Sequence, residues 1–194
     1  MSIGVIGLGI MGSAIAGHVM KAGHPVVGYD VRTARVRSLR AAGGTAASTA
    51  SDVGLSSSIV ITSLPSAAAL LETADAFARL KRPPRIVVET STLSIDVKQR
   101  ARRRLHARGV DLLDCPISGT GAQARNKDIV VYASGTRAGY KRVAKVLDAF
   151  TRAHYYVGTF GAGSKVKFVA NLLVAVHNVA AAEALVLGMK AGLD

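Results

Sequence analysis

A mostly parallel α/β sheet with helices on both faces is predicted by three features of the chain. Short apolar runs alternate with segments of helical period; a glycine-rich turn joins the first run to the first helix; the second run ends on a carboxylate. The pattern predicts strands at 2–6, 25–29, 58–63, 85–89, 110–113, 128–134 and 153–157, with helices at 11–22, 33–42, 66–79, 94–107 and 137–148. Ile3-Gly4-Val5-Ile6 opens the sheet, and Gly43-Gly44 closes the second helix. Pro83-Pro84 breaks the chain before the fourth strand. Val130 to Ala133 ends in a Ser134-Gly135 turn, so the sheet is expected to continue past its first half. From Gly163 onward one long helix is expected, free of proline and without glycine until Gly188. It is apolar on most of its circumference, which calls for burial between partners. Residues 1–163 are therefore expected to form one domain. Residues 164–194 are expected to open an all-helical second domain, inside which the sequence stops.

The turn reads Gly7-Leu8-Gly9-Ile10-Met11-Gly12, between an apolar strand and a helix, and Val26-Val27-Gly28-Tyr29 ends in Asp30 eighteen positions after Gly12. Each part has a role in holding a dinucleotide. Gly7 permits the tight turn, Gly9 admits the backbone to the pyrophosphate, and Gly12 lets helix and strand pack closely. The helix amino terminus offers unpaired N–H groups and partial positive charge to phosphates. This makes the first domain a Rossmann-type, doubly wound fold. The expected cofactor-binding residues are Gly7, Leu8, Gly9, Ile10, Met11, Gly12, Asp30, Val31, Arg32, Leu64, Pro65, Ser91 and Thr92.

Composition narrows the class. The chain has 194 residues, 49% of them hydrophobic but only 5% aromatic and none Trp, so the core is built from Val, Ile, Leu and Ala. One cysteine, Cys115, excludes an internal disulfide framework and is expected to pack rather than react. The first residues enter a strand directly and do not read as a signal peptide. Lys167, Asn171, His177, Asn178 and Glu183 interrupt the longest apolar stretch, so no membrane span is expected and the protein reads as cytoplasmic. The net charge is +13, densest from Lys98 to Arg108. That run lacks interleaved aromatic residues to stack bases, so it is taken as the solvated face of a helix and no nucleic-acid partner is expected. Ile95, Val97, Ala101 and Leu105 would face the sheet. The positive field still favours anionic substrates. The five histidines show no metal-ligand spacing.

Three further segments carry chemistry: Val87-Val88-Glu89-Thr90-Ser91-Thr92, Asp114-Cys115-Pro116-Ile117-Ser118-Gly119-Thr120, and Gly161-Ala162-Gly163-Ser164-Lys165-Val166-Lys167 continuing to Asn171. With the glycine turn, in this order, they resemble the β-hydroxyacid dehydrogenase family over the whole chain. The resemblance implies NAD(P)-dependent hydride transfer on a small anionic hydroxy acid. It puts the hydroxyl-bearing turn near the nicotinamide at Ser91 and Thr92. It puts a substrate-binding pair at Ser118 and Gly119, with Thr120 where many members have another glycine. The catalytic lysine falls on Lys167 and its companion amide on Asn171, with Ala170 where many relatives have a first asparagine. Relatives continue with helices that complete the cleft and build the oligomer, so a homo-oligomer through the long carboxyl-terminal helix is expected.

The residue types suit that chemistry. Lys167 and Asn171 stand at i and i+4, on one helical face. A lysine whose pKa is lowered by burial can take a hydroxyl proton and return it. Asn171 can orient the reacting oxygen, while Ser118 and the bare backbone of Gly119 can hold a carboxylate. Asp30 suits the ribose hydroxyls of NAD and opposes a 2′-phosphate, whereas Arg32 could pair with one; NAD is the expected preference over NADP. Two rivals are an imine-reductase-like enzyme, whose members commonly lack this lysine, and a non-catalytic NAD-binding or regulatory module.

Overall fold

The computed structural model describes residues 2–193; Met1 and Asp194, the outer limits of the two expected domains, lie outside the described residues. The chain runs β1 (Ile3–Ile6), α1 (Ile10–Lys21), β2 (Val26–Tyr29), α2 (Thr33–Ala41), β3 (Thr45–Ala46), α3 (Ala50–Ser56), β4 (Ile59–Thr62), α4 (Ala67–Ala78) and β5 (Ile86–Glu89). It continues with α5 (Ile95–His106), β6 (Asp111–Asp114), β7 (Ile117–Ser118), α6 (Gly121–Arg125), β8 (Val130–Ala133), α7 (Arg137–Phe150), β9 (Ala153–Tyr156) and α8 (Ala162–Lys190).

The first six strands form one parallel sheet in the order β3-β2-β1-β4-β5-β6, the doubly wound arrangement expected. The strands are near-continuous apolar runs because both faces are covered. Ile3, Val5, Ile61 and Val88 enter the core beneath α1, and Ile6, Val60 and Val87 enter the one beneath α4 and α5. After β3 the chain crosses to the far side of β1, making a switch point between β1 and β4 where ligands bind outside the strand carboxyl ends. The register aligns those ends: Ile6 with Tyr29 and Thr62, Thr62 with Glu89, Glu89 with Asp114. The glycine turn, Asp30 and the segments after Glu89 and Asp114 all leave the sheet along this edge.

The sheet does not continue as expected. β7, β8 and β9 form a separate three-stranded sheet, β7 antiparallel to β8 and β8 parallel to β9. The break falls at Pro116, which has no N–H for a ladder. The two sheets meet at one bridge, where the N–H of Asp114 donates to Ser134 O at 2.9 Å and the N–H of Ser134 to Asp114 O at 2.8 Å. Four short elements, β3, α3, β7 and α6, were not expected. Both short helices start on capping boxes, Thr49 with Asp52 and Thr120 with Gln123.

The basic run forms α5, with Ala101 and Leu105 buried as expected and Ile95 and Val97 half-buried. Lys98 is a correction: it is fully buried, not part of the solvated face. In α8 only Gly163 and Ser164 are buried, and beyond them Val169, Leu172, Leu185 and Leu187 stand exposed. By length and composition alone α8 is apolar enough to cross a bilayer. Its first turn, however, is packed into the sheet edge through Ser164.

Candidate active site

The glycine turn is built as its spacing requires. Gly7 has φ +86°, and a Cβ there would lie 2.1 Å from Ser63 O. A Cβ on Gly12 would lie 1.8 Å from Gly7 O. Gly9 differs: a Cβ on it would approach only Arg35 Nη1, at 3.8 Å, so its neighbourhood is open to a ligand. No side chain caps α1, leaving first-turn N–H groups for an anion. A cavity of about 600 Å³ opens here, bordered by Gly7, Gly9, Ile10 and Met11, by Asp30 and Val31, and by Leu64 and Pro65 across the switch point. Ile10 and Val31 are exposed apolar side chains at its rim, suited to cover a ring. These residues fit a dinucleotide. Gly12→Ala should therefore cost about 1–3 kcal/mol of stability by overpacking and lower NADH affinity at least about tenfold, read by thermal melting and fluorescence titration. Unchanged affinity would contradict this account of the turn.

Two members of the expected set act from beneath. Leu8 buries its side chain and donates its N–H to Asp30 Oδ2 at 2.7 Å, so it shapes the turn from the core. Asp30 is buried and already engaged. Its Oδ1 accepts from the N–H of Arg32 at 2.8 Å, and its Oδ2 also accepts from Arg35 Nη1 at 3.1 Å. Arg32 thus meets Asp30 through its backbone. Arg35, absent from the expected set, is the side chain that pairs with the carboxylate. Its position five residues on, at the start of the helix after the acidic strand end, is a signal the sequence did carry.

At the next strand ends, the N–H of Leu64 donates to Ser91 Oγ at 2.8 Å, and the N–H of Ser91 donates to Glu89 Oε1 at 2.9 Å. Ser91 is therefore a buried strut between two loops, while Thr92 is exposed. Beyond β6 the turn carrying Ser118 is held against the glycine turn. A Cβ on Gly121 would lie 2.4 Å from Ile10 Cγ2, and His18 Nε2 lies 2.9 Å from Ala124 O. Gly119 has φ +142°, and a Cβ there would lie 2.7 Å from Ile129 Cγ2, so glycine is required. Thr120 is occupied in capping α6: its Oγ1 accepts from the N–H of Gln123 at 3.3 Å and donates to Gln123 Oε1 at 3.1 Å. That accounts for a threonine at this place.

α8 starts at Gly161, whose φ of +95° turns the chain and which has no side chain to cap the helix. The caps come from elsewhere. The N–H of Gly163 donates to Ser134 Oγ at 3.0 Å, and the N–H and hydroxyl of Ser164 donate to Asp114 Oδ2 and Oδ1, each at 2.8 Å. Behind Asp114 sits Lys98, its Nζ 2.8 Å from Asp114 Oδ1 and 2.6 Å from Glu89 Oε2, all three side chains fully buried. Burial drives the Glu89 carboxyl above its ordinary range, against the attraction of Lys98. Burial alone would lower the Lys98 ammonium, but Glu89 and Asp114 hold it above its ordinary value. Cys115, enclosed beside them, has its thiol pushed far up by burial and by Asp114, in keeping with packing rather than reaction. The carboxylates at the ends of otherwise apolar strands, Glu89 and Asp114, were a sign of this cluster that sequence reasoning passed over.

Lys167 and Asn171 follow Ser164 by three and seven residues, on one face of α8. Lys167 is half-buried, and that burial lowers its pKa below the ordinary lysine value; Asn171 is exposed. Ser118 and Lys167 issue from one junction, since a Cβ on Gly163 would lie 2.9 Å from Asp114 O and 3.0 Å from Pro116 Cδ.

Residues 2–158 match the family described as the NAD binding domain of 6-phosphogluconate dehydrogenase. The chain is similar to L-threonate dehydrogenase of Cupriavidus necator, with 34% identity covering 100% of this chain and 66% of that protein. It is 35% identical to 2-(hydroxymethyl)glutarate dehydrogenase of Eubacterium barkeri, over 100% of this chain and 65% of that one. Among solved structures, 3-hydroxyisobutyrate dehydrogenase of Mycobacterium tuberculosis superposes with a TM-score of 0.95 at 27% identity, covering 100% of this chain and 66% of that one. The chain thus spans just under two thirds of the length of these relatives.

Proposed function

This chain belongs to the β-hydroxyacid dehydrogenase family through its 6-phosphogluconate-dehydrogenase-type NAD-binding domain, and from that premise we propose that it serves reversible hydride transfer between NAD or NADP and a small β-hydroxy acid. We propose residues 1–163 as the dinucleotide-binding domain and 164–194 as the opening of a helical one. The observation that carries the reading is Lys167. It is half-buried, with lowered pKa, on a helix pinned by Ser164 to the carboxyl edge of the nucleotide-binding sheet.

The bound nicotinamide supplies the hydride acceptor or donor. The glycine turn and the first turn of α1 would hold the phosphates, and Leu64 and Pro65, braced from behind by Ser91, would border the rest of the dinucleotide. Neutral Lys167 Nζ takes the proton of the substrate hydroxyl during oxidation; its ammonium returns that proton to the carbonyl oxygen during reduction. Asn171 orients the same oxygen, and Ser118 with the backbone of Gly119 holds the carboxylate. The exposed apolar length of α8 supports pairing with a second copy of the chain.

The test is an assay with 3-hydroxyisobutyrate, glycerate and threonate, each with NAD and NADP. Cofactor reduction with at least one acid is expected. Tight NADH binding with no turnover on any of them would instead favour a non-catalytic binding module. NAD is the expected preference because Asp30 opposes a 2′-phosphate. Arg35 partly offsets that charge, so Arg35→Ala should widen the NADH-over-NADPH affinity ratio about threefold or more, within what a partly exposed charge pair is worth. A ratio that narrows on removing Arg35 would overturn this assignment.

A further inference from the structure

We propose that Lys98 is a positioning residue that sets the helix carrying Lys167 in register with the turn on the nicotinamide side. The proposal rests on the reading of Lys167 as the acid/base group. One bonded path crosses the carboxyl edge of the sheet. It runs from Leu64 N–H to Ser91 Oγ, from Ser91 N–H to Glu89 Oε1, through Lys98 Nζ between Glu89 Oε2 and Asp114 Oδ1, and on to Ser164. Cofactor-side loops hang from the Glu89 end, and α8 hangs from the Asp114 end. Among the described residues Lys98 is the side chain paired with both carboxylates.

Backbone pairing of β5 with β6 already fixes Glu89 relative to Asp114. It does not fix how the Asp114 carboxylate is turned, and that orientation sets α8. The helix starts on a glycine without a capping side chain and takes the cap of its third residue from Asp114 Oδ2. Lys98 holds the other oxygen, Oδ1, while the Ser134 hydroxyl donates to Oδ2 at 3.1 Å; the charged contact is the stronger of the two that aim Oδ2 at the helix. Lys167 follows Ser164 by three residues, roughly 4.5 Å along the axis at 1.5 Å per residue. A rotation of α8 about its anchor therefore moves the Lys167 amine relative to the crevice. Stability alone does not account for the choice of lysine. Apolar side chains in place of all three members of the cluster could fill the space without desolvating any charge, and buried ion pairs seldom outperform such packing. Orientation is what the charge adds.

The test compares the wild-type chain with two variants. Lys98→Met alone leaves two buried carboxylates without a cation, so it is combined with Glu89→Gln. Ser164→Ala leaves the ion pairs intact and removes one bond between Asp114 and the helix. Three quantities are read for each: NADH affinity, kcat against KM, and the titration of Lys167 from the pH dependence of its acylation mapped by mass spectrometry. NADH affinity should stay within about threefold, since the glycine turn is untouched and a glutamine amide oxygen at position 89 can still accept from the Ser91 N–H. kcat should fall about tenfold or more with a smaller change in KM, because small misplacements of a reacting group are costly. The Lys167 titration should move up toward the ordinary lysine range as the amine loses its shelter, more in the double variant than in Ser164→Ala. A merely structural role would lower the amount of folded protein without moving that titration. A folded double variant with Lys167 titrating as in the wild type overturns the proposal. The two readings fail separately: a wild-type chain inactive on every acid refutes catalysis, while the acylation titration still decides whether Lys98 positions the helix.

Discussion

Lys167→Ala should lower the turnover of β-hydroxy acids by about 10²–10⁴-fold, the usual contribution of a positioned acid/base group, while NADH affinity stays within about threefold. The separation follows from where the residue sits. The nucleotide crevice is bordered by β1, α1, β2, α3, α4 and the loop after β4, none of which Lys167 supports. The side chain is not part of the buried ion cluster, and its removal leaves Ser164 and the helix anchor in place. The pH dependence carries the same assignment. Oxidation needs the neutral amine, so its rate should rise with pH and level off above the pKa of Lys167; reduction needs the ammonium and should fall over the same interval. Burial lowers that pKa from the ordinary 10.5, so the inflection should lie below it. In Lys167→Ala this inflection should vanish from the residual rate. Kinetics of both directions between pH 6 and 10, beside fluorescence titration with NADH, would measure these effects, and equal losses of binding and turnover would identify Lys167 as structural instead.

The nucleotide-binding half was legible because its signals are local and mutually consistent. An apolar strand, three glycines at fixed offsets and an acid at the next strand end specify a turn whose clearances, 2.1 Å at Gly7 and 1.8 Å at Gly12, leave little freedom in residue type. The parallel sheet was legible for a similar reason: strands buried on both faces are continuous apolar runs. Sequence reasoning failed where pairing is non-local. Asp30 is a carboxylate with three donors, two of them backbone N–H groups of Leu8 and Arg32 that only the folded turn brings to it. The kink at Pro116 split one sheet into two because a single missing N–H decides where a ladder ends. Lys98 was misread most completely. Its neighbours Arg100, Arg102, Arg103 and Arg104 are charged and at least partly solvated, and composition alone assigns it to them. Helical period puts residue 98 in line with Ala101 and Leu105, facing inward. An ammonium is tolerated there only because two strand ends 25 residues apart, Glu89 and Asp114, bring carboxylates to it.

That dependence makes Lys98→Met the most damaging change expected for the fold itself. Removing one partner of a buried ion pair costs about 3–5 kcal/mol, because the opposite charge stays buried without compensation. For a chain of this size that corresponds to a fall in melting temperature of about 10 °C. The loss should depend on pH in a definite direction. Glu89 already has a folded-state pKa above its ordinary 4.5, and removing the ammonium, the largest influence opposing burial, raises it further. A carboxyl with a raised folded pKa is at its most favourable below the unfolded value, and the fold loses that contribution as pH rises through the folded one. The gap in melting temperature between the wild-type chain and Lys98→Met should therefore be narrower at pH 5 than at pH 8, and Glu89→Gln in the same chain should narrow it at pH 8. An exposed lysine, the role composition suggests, would give a gap within about 2 °C at either pH, since surface substitutions rarely exceed ±0.5 kcal/mol. Thermal melts of the three proteins at the two pH values decide between a buried ion pair and a solvated charge.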